Sequence, residues 1–170
     1  DGTSMASPHV AGAALLLREL HPDWSADAIR SALMMTAETD IGLNGSTAQA
    51  NWLDMGAGRI QIDAAANAGL IMEETQANYE AADPNSGGEP KPLNIPALVD
   101  NNCLIECTWQ RTFTATRNGT WTFGLDDMDS GLALEAQPAS MTLSAGQSQT
   151  VTFTLSTWNV ADNDWVYGDV

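Results

Sequence analysis

The residues best suited to chemistry stand at the start of the sequence, where Gly2 and Thr3 precede Ser4 and small, apolar residues follow. A serine hydroxyl at a helix N-terminus lies near the positive end of the helix dipole, which stabilises negative charge developing on an oxygen. Gly2 has no Cβ, so the backbone can bend there or be approached closely. This arrangement suits nucleophilic catalysis by Ser4, with Gly2 and Thr3 supporting the turn that holds it, but an ordinary cap or turn serine fits the same three residues.

A helix over residues 8–20 is expected to position this serine. Pro8 suits the first position of a helix and Ser7 can cap it, so Ser4 should lie just ahead of the first regular turn. Residues 10–17 are apolar on every face, which predicts a helix buried in a core. The run is too short for a membrane span, which needs about twenty apolar residues.

Residues 2–12 read Gly-Thr-Ser-Met-Ala-Ser-Pro-His-Val-Ala-Gly and resemble the serine-nucleophile signature of the subtilisin-like serine proteases. The resemblance continues through residues 21–25 and 56–60, within a segment that we assign to residues 1–72. It implies that this segment is the C-terminal piece, mostly helical, of an α/β catalytic domain with a parallel sheet. It also implies Ser4 as the nucleophile and its backbone N–H as an oxyanion donor, assisted by Thr3.

The function implied by the resemblance is that of a secreted serine endopeptidase, which hydrolyses peptide bonds in protein or peptide substrates. The aspartate and the histidine of the triad precede the serine in this family, so we expect both, and the side-chain amide of the oxyanion hole, upstream of Asp1. The 170-residue chain alone is therefore expected to be inactive. No cofactor is evident, and the resemblance allows structural calcium only in the upstream part. Two alternatives stay open: a catalytically silent homologue, and a module for adhesion or substrate tethering through the β-rich region.

Other catalytic uses of these residues agree less well with the sequence. Residues 2–6 come close to the G-x-S-x-G elbow, but hydrolases of that class need a histidine well after the serine, and only His9 and His21 follow. An S-x-x-K site is excluded because Ser7 occupies the position of the lysine. We interpret His9 and His21 as structural residues at the two ends of the first helix.

The composition argues against several partners. The chain has 22 Asp and Glu against 6 Lys and Arg, and its formal net charge of −16 repels nucleic-acid phosphates and anionic lipids. With 44% hydrophobic residues it should form a globular protein, extracellular or exposed to salt, and not a disordered one. We therefore expect neither nucleic-acid binding nor membrane insertion.

Two cysteines, Cys103 and Cys107, are too few for a zinc site, which usually takes four ligands. We favour a local disulfide between them, and hence an oxidising compartment, over a pair of free thiols. Acidic clusters at residues 126–129 and 162–164 resemble fragments of calcium loops but lack the spacing and the distal glutamate of an EF-hand. We interpret both as solvated turns, so no metal site is predicted.

The domain organisation follows from changes of pattern along the chain. Behind the first helix, Ser25 can cap an amphipathic helix over residues 26–37. Residues 73–92 are rich in proline, glycine and polar residues, which predicts an exposed linker with nothing to pack. From residue 93 to residue 170 the pattern becomes that of β-structure.

Alternating residues predict strands over 109–116 and 150–155, and an Asn-Gly turn follows the first of them. Residues 164–170 look like the beginning of a further strand, so the expected antiparallel β-sandwich is incomplete. The region resembles the fibronectin type III-like domain that is appended to many secreted subtilisin-like proteases. Four tryptophans are interpreted as sandwich core and not as a sugar-binding platform: Trp109, Trp121, Trp158 and Trp165.

Overall fold

The structure is a computed structural model that describes residues 2–43, 48–124, 132–158, 160, 165–168 and 170. The chain divides into two compact units, a mainly helical one at residues 1–73 and one built on antiparallel strands at residues 74–170. The acidic clusters at 126–129 and 162–164 lie outside the described residues, so their interpretation as solvated turns stays a prediction.

Three helices of the first unit form its core. The elements of this unit are α1 (Thr3–Leu20), α2 (Ala26–Met35), α3 (Trp52–Met55), α4 (Ile62–Ala66) and the two-residue strand β1 (Leu70–Ile71). Leu17 of α1 packs with Ile29 and Leu33 of α2, and α4 adds Ala65 to the same cluster. The Ser25 side chain caps α2 as predicted, accepting a hydrogen bond of 3.0 Å from an N–H in its first turn.

The first helix begins at Thr3, five residues before the predicted start at Pro8. The carbonyl of Gly2 accepts hydrogen bonds from the N–H groups of Met5 (2.9 Å) and Ala6 (3.2 Å), and these bonds close a turn ahead of the proline. Pro8 lies inside the helix, where its missing N–H deprives only one upstream carbonyl of its α-helical donor. The prediction that Ser7 caps this helix is therefore wrong, and Ser4 lies within the first turn.

The expectation that α1 is buried on every face is also wrong for the described residues. Only Ala13 and Leu17 of this helix are buried, because α2 and α4 pack against a single side of it. Its exposed large apolar side chains are Met5, Val10, Leu15, Leu16 and Leu20.

The second unit is organised by its strands. Its elements are the helix α5 (Gln76–Ala81), a short 3-10 helix (Pro84–Ser86), and the strands β2 (Glu106–Ala115), β3 (Gly119–Thr122), β4 (Ala133–Gln137), β5 (Ser140–Leu143) and β6 (Ser148–Ser156). Strand β6 lies between β2 and β4 and is antiparallel to both, and β3 pairs with β5. Alternate residues of β2 are buried, as the sequence alternation predicts.

Aromatic side chains fill the core of this unit. Phe113, Phe123 and Phe153 have ring centroids 5.3 to 6.3 Å apart, within the range of favourable aromatic pairs. The interpretation of the tryptophans as core residues holds for Trp109, which is 4% exposed. It is wrong for Trp158 and Trp165, which are 74% and 61% exposed.

Residues 73–92 are more ordered than the expected linker. They contain α5 and the 3-10 helix, which Asp83 caps by accepting a hydrogen bond from the N–H of Asn85 (2.9 Å). The Glu74 carboxylate accepts a hydrogen bond from the N–H of Asn94 (2.7 Å), so this stretch is fastened within the second unit. Side-chain caps, which act locally, compensate here for the scarcity of apolar residues.

Two other expectations concern the C-terminal region. Cys103 and Cys107 are joined by a disulfide in the structure, with their Cα atoms 5.5 Å apart. Residues 165–168 and 170 contain no strand, and residues 164 and 169 lie outside the described part of the chain. The described residues therefore give no support to a further strand at this end.

Candidate functional site

The candidate site is the N-terminal end of α1, where Ser4 is exposed in the first turn of an 18-residue helix. The helix is preceded by Gly2, whose backbone has φ 154° and ψ 167°. Side chains with a Cβ rarely adopt this φ, and a Cβ built on Gly2 would meet no described atom within 4 Å. Glycine is thus needed here for the backbone conformation and not for space.

The backbone at this end offers hydrogen-bond donors. The first N–H groups of any α-helix have no acceptor within the helix, and no side chain among the described residues caps α1. Gly2 provides an acceptor for Met5 and Ala6, but no acceptor is present among the described residues for the N–H groups of Thr3 and Ser4. Two donors therefore accompany the Ser4 hydroxyl at the positive end of the helix dipole, where an oxyanion would be stabilised.

The two histidines of the chain each make a hydrogen bond to a backbone carbonyl. The Nδ1 atom of His9 lies 2.7 Å from the carbonyl oxygen of Met5, and since a carbonyl can only accept, this nitrogen carries the proton. No hydrogen bond joins His9 to Ser4 among the described residues. His21 donates from Nε2 to the carbonyl of Ala66 (2.8 Å) and stacks on Trp24, with ring centroids 3.9 Å apart. Both contacts fit the structural roles expected for these residues.

A cleft of about 280 Å³ lies beside α1 in the first unit, but it does not include the serine. Its walls are mostly apolar and come from α1, α2 and residues 57–60, with Val10, Ile29 and Leu33 among them. Such a lining can bind apolar groups but supplies no nucleophile or general base. This cleft therefore adds no candidate catalytic group to the exposed end of α1.

The described residues contain neither a cluster of metal ligands nor a helix that could span a membrane. Nowhere in the described ranges do three or more His, Cys, Asp or Glu side chains come together as ligands for a metal ion. None of the described helices combines the length and the apolar character needed to cross a membrane.

Sequence reasoning singled out Gly2, Thr3 and Ser4, and the structure places all three at one helix end. It missed that Thr3 and Ser4 are themselves helical, so that their N–H groups are the first of α1. Only a weak signal for this was present in the sequence, because glycine is one of the residues preferred directly before a helix.

Comparisons with known proteins show which family this region resembles. Residues 1–58 match the sequence model of the subtilase family. The chain is 32% identical over 154 residues to the subtilisin-like protease SBT3 of Solanum lycopersicum, covering 72% of this chain and 20% of that protein. It is 30% identical over 194 residues to the subtilisin-like protease SBT2.6 of Arabidopsis thaliana, covering 94% of this chain and 24% of the relative. The chain thus spans a quarter or less of the length of these two relatives.

Proposed function

Because residues 1–58 place this chain in the subtilase family, we propose that it is part of a serine endopeptidase in which Ser4 is the nucleophile. One observation carries the proposal: the serine of the family signature is exposed at a helix end whose first N–H groups have no acceptor among the described residues. Protein or peptide chains are the substrates in this proposal, as the name of each relative, a subtilisin-like protease, suggests.

In the proposed reaction, Ser4 Oγ attacks the carbonyl carbon of a peptide bond and forms a tetrahedral intermediate. The hydroxyl proton passes to a histidine that lies outside these 170 residues and is oriented there by an aspartate. The N–H of Ser4, supported by Thr3, donates to the oxyanion. The C–N bond then breaks, the amine takes the proton from the histidine, and water hydrolyses the acyl ester to release the second product.

The proposal extends to the domain organisation of the chain. Residues 1–72 belong to the C-terminal part of an α/β peptidase domain with a parallel sheet, and residues 93–170 form a fibronectin type III-like β-sandwich. The helical first unit and the antiparallel strands of the second unit support this division. The whole protein is secreted, which agrees with the disulfide between Cys103 and Cys107, since such bonds persist in oxidising compartments.

Replacement of Ser4 by alanine in the full-length gene product tests the role of the hydroxyl. We expect hydrolysis of a quenched fluorescent casein to fall by about 10⁶-fold in kcat, the loss that removal of the nucleophile causes in subtilisin itself. Ser7→Ala is the matched control, because Ser7 is exposed in the same helix, and it should keep the rate of the parent enzyme. Equal rates for the parent enzyme and Ser4→Ala would refute the proposal.

A second experiment tests the origin of the general base. The 170-residue chain, incubated with a fluorophosphonate probe, should not be labelled rapidly at Ser4, because neither His9 nor His21 is placed to take its proton. The full-length enzyme is the positive control. Rapid stoichiometric labelling of the short chain would show that a base lies within these 170 residues.

A further inference from the structure

The turn between β2 and β3 contains a feature that the peptidase reaction does not use. Asn118, Gly119 and Thr120 form the sequence Asn-x-Thr, in which an asparagine can receive an N-linked glycan when x is not proline. We propose that Asn118 is a site of N-glycosylation. The proposal goes beyond the peptidase function and depends only on the proposed secretion.

Asn118 is exposed, and its side-chain amide is hydrogen-bonded through the oxygen. The residue is exposed at the end of a bend, and β3 begins at Gly119. Its Oδ1 atom accepts a hydrogen bond of 2.9 Å from the N–H of Ala145, in the loop that connects β5 and β6. For Nδ2, the nitrogen that would carry a glycan, no acceptor is present in the described part of the chain.

Because the amide oxygen of Asn118 makes the hydrogen bond and the amide nitrogen would carry the glycan, the modification is compatible with the fold. Glycosylation replaces one hydrogen of Nδ2 and leaves Oδ1 as a carbonyl-type acceptor, so the hydrogen bond from Ala145 is retained. Backbone hydrogen bonds that the glycan would not touch also join the end of β2 to the loop between β5 and β6, from the N–H of Gly146 to the carbonyl of Ala115 (2.7 Å) and from the N–H of Ala115 to the carbonyl of Gln147 (2.9 Å). Because Asn118 is exposed, a glycan on Nδ2 would lie at the surface of the second unit.

The step is a group transfer without oxidation or reduction. The donor is an oligosaccharide linked to a lipid through a diphosphate. The bond between sugar C1 and the diphosphate oxygen breaks, and a bond between C1 and Nδ2 of Asn118 forms. The proton lost from Nδ2 leaves with the lipid diphosphate.

The hydroxyl two residues after the asparagine provides a conservative control. Thr120 is exposed in β3, and its Oγ1 lies 2.9 Å from Oγ1 of Thr142 on β5. Serine would keep the hydroxyl that the acceptor sequence requires, whereas alanine would remove it. A second acceptor sequence, Asn44-Gly45-Ser46, lies outside the described residues. Its peptide is measured in the same samples, as an internal reference for glycosylation of this chain.

The experiment expresses the full-length gene product behind a secretion leader in cultured eukaryotic cells, so that its outcome does not depend on the native route of secretion. Purified protein is digested, and intact glycopeptides are identified by mass spectrometry. The intact mass is required because an Asn-Gly pair also loses its amide spontaneously, which imitates enzymatic removal of a glycan. The variants are Asn118→Gln, Thr120→Ala and Thr120→Ser, each also made with Asn44→Gln.

We expect a glycan on the peptide that contains Asn118 in the parent protein and in Thr120→Ser. Asn118→Gln and Thr120→Ala should each lose the mass of that one glycan. Because the glycan is read from peptides, a variant that folds poorly still gives a result. An unmodified Asn118 peptide in the secreted parent protein, whether or not Asn44 carries a glycan, would overturn the proposal and leave the peptidase proposal untouched.

Discussion

Replacing Arg111 by methionine should remove three of the hydrogen bonds that hold residues 91–97 against β2. The guanidinium group is buried, with the residue only 2% exposed, although it lies in the middle of a strand. It donates hydrogen bonds to four backbone carbonyls, those of Lys91 (3.3 Å), Ile95 (2.7 Å), Ala97 (2.7 Å) and Gln110 (2.8 Å). Three of these acceptors belong to the irregular segment before the strand, which two hydrogen bonds between Asn94 and Thr112 also join to β2.

The size of the effect follows from these bonds. Methionine retains the apolar stem of the arginine, so little packing is lost. Each of the three bonds to residues 91–97 contributes about 1–1.5 kcal/mol net, and the carbonyls stay behind without their donors. We therefore expect a loss of about 3–5 kcal/mol, a large part of the 5–15 kcal/mol that typically separates folded from unfolded states.

The cost of taking the charge of Arg111 out of water is present at neutral pH and is already contained in the net value of each hydrogen bond. Burial lowers the pKa of Arg111 to about 10, against the opposing effect of the negative charge of Glu74. The folded pKa lies below the unfolded value, so the cost of burying the charge is fully present below pH 10. The contribution of this group to the unfolding free energy increases only as the pH rises above about 10.

Urea unfolding at pH 7, followed by hydrogen exchange of the amides in β2, measures the effect. Arg117→Met is the matched control, because Arg117 is exposed in the turn after the same strand, and it should change the unfolding free energy by less than about 0.5 kcal/mol. Arg111→Lys should also destabilise, since an ammonium group cannot reach all of these carbonyls at once. If Arg111→Met unfolds at the same urea concentration as the control variant, the reasoning is wrong.

Three more predictions concern the disulfide, the ion pair of Asp100 and the glycine that precedes α1. Replacing Cys103 and Cys107 by serine should lower the unfolding free energy of the second unit by about 2 kcal/mol, because their disulfide closes a short loop. Urea unfolding of the parent protein with and without a reductant should differ by the same amount. Burial acts to raise the pKa of Asp100, but hydrogen bonds from Lys91 and the N–H of Asn102 hold it below its usual range overall. Its stabilising contribution should therefore be complete at neutral pH and be lost as the pH falls through this lowered pKa, and Asp100→Asn should remove that step from the acid-unfolding profile. Gly2→Ala should cost about 1–3 kcal/mol of backbone strain and lower the peptidase rate of the full-length enzyme, whereas Gly12→Ala within the same helix should be neutral or stabilising in thermal unfolding.

The sequence predicted most reliably where local chemistry decides the outcome. Alternation placed the β2 residues Trp109 and Phe113 on one buried face, and the cap at Ser25 set the start of α2. The same local rules misplaced the start of α1, because Ser7 and Pro8 imitate a cap and a first helical residue. The preceding glycine carbonyl instead supplies the first acceptors, and no side-chain signal marks that role.

Burial was harder to predict because it depends on what packs against an element. Residues 10–17 contain mainly apolar side chains, but only two residues of α1 are buried among the described elements. Arg111 is the opposite case, a charged residue that alternation placed on the inner face and that is buried because four carbonyls surround it. Neither result follows from hydropathy, since α1 depends on α2 and α4, and three of the four carbonyls around Arg111 lie 14 to 20 residues before it.

The absence of a capping side chain on α1 among the described residues has an energetic meaning. A serine or aspartate at that point typically strengthens a helix by about 1 kcal/mol, and this helix begins without that gain. An anionic inhibitor seated on the Thr3 and Ser4 N–H groups would act as the missing cap. With the inhibitor bound, the first turn of α1, which carries the proposed nucleophile Ser4, should fray less, so tighter binding should go with greater order of this turn.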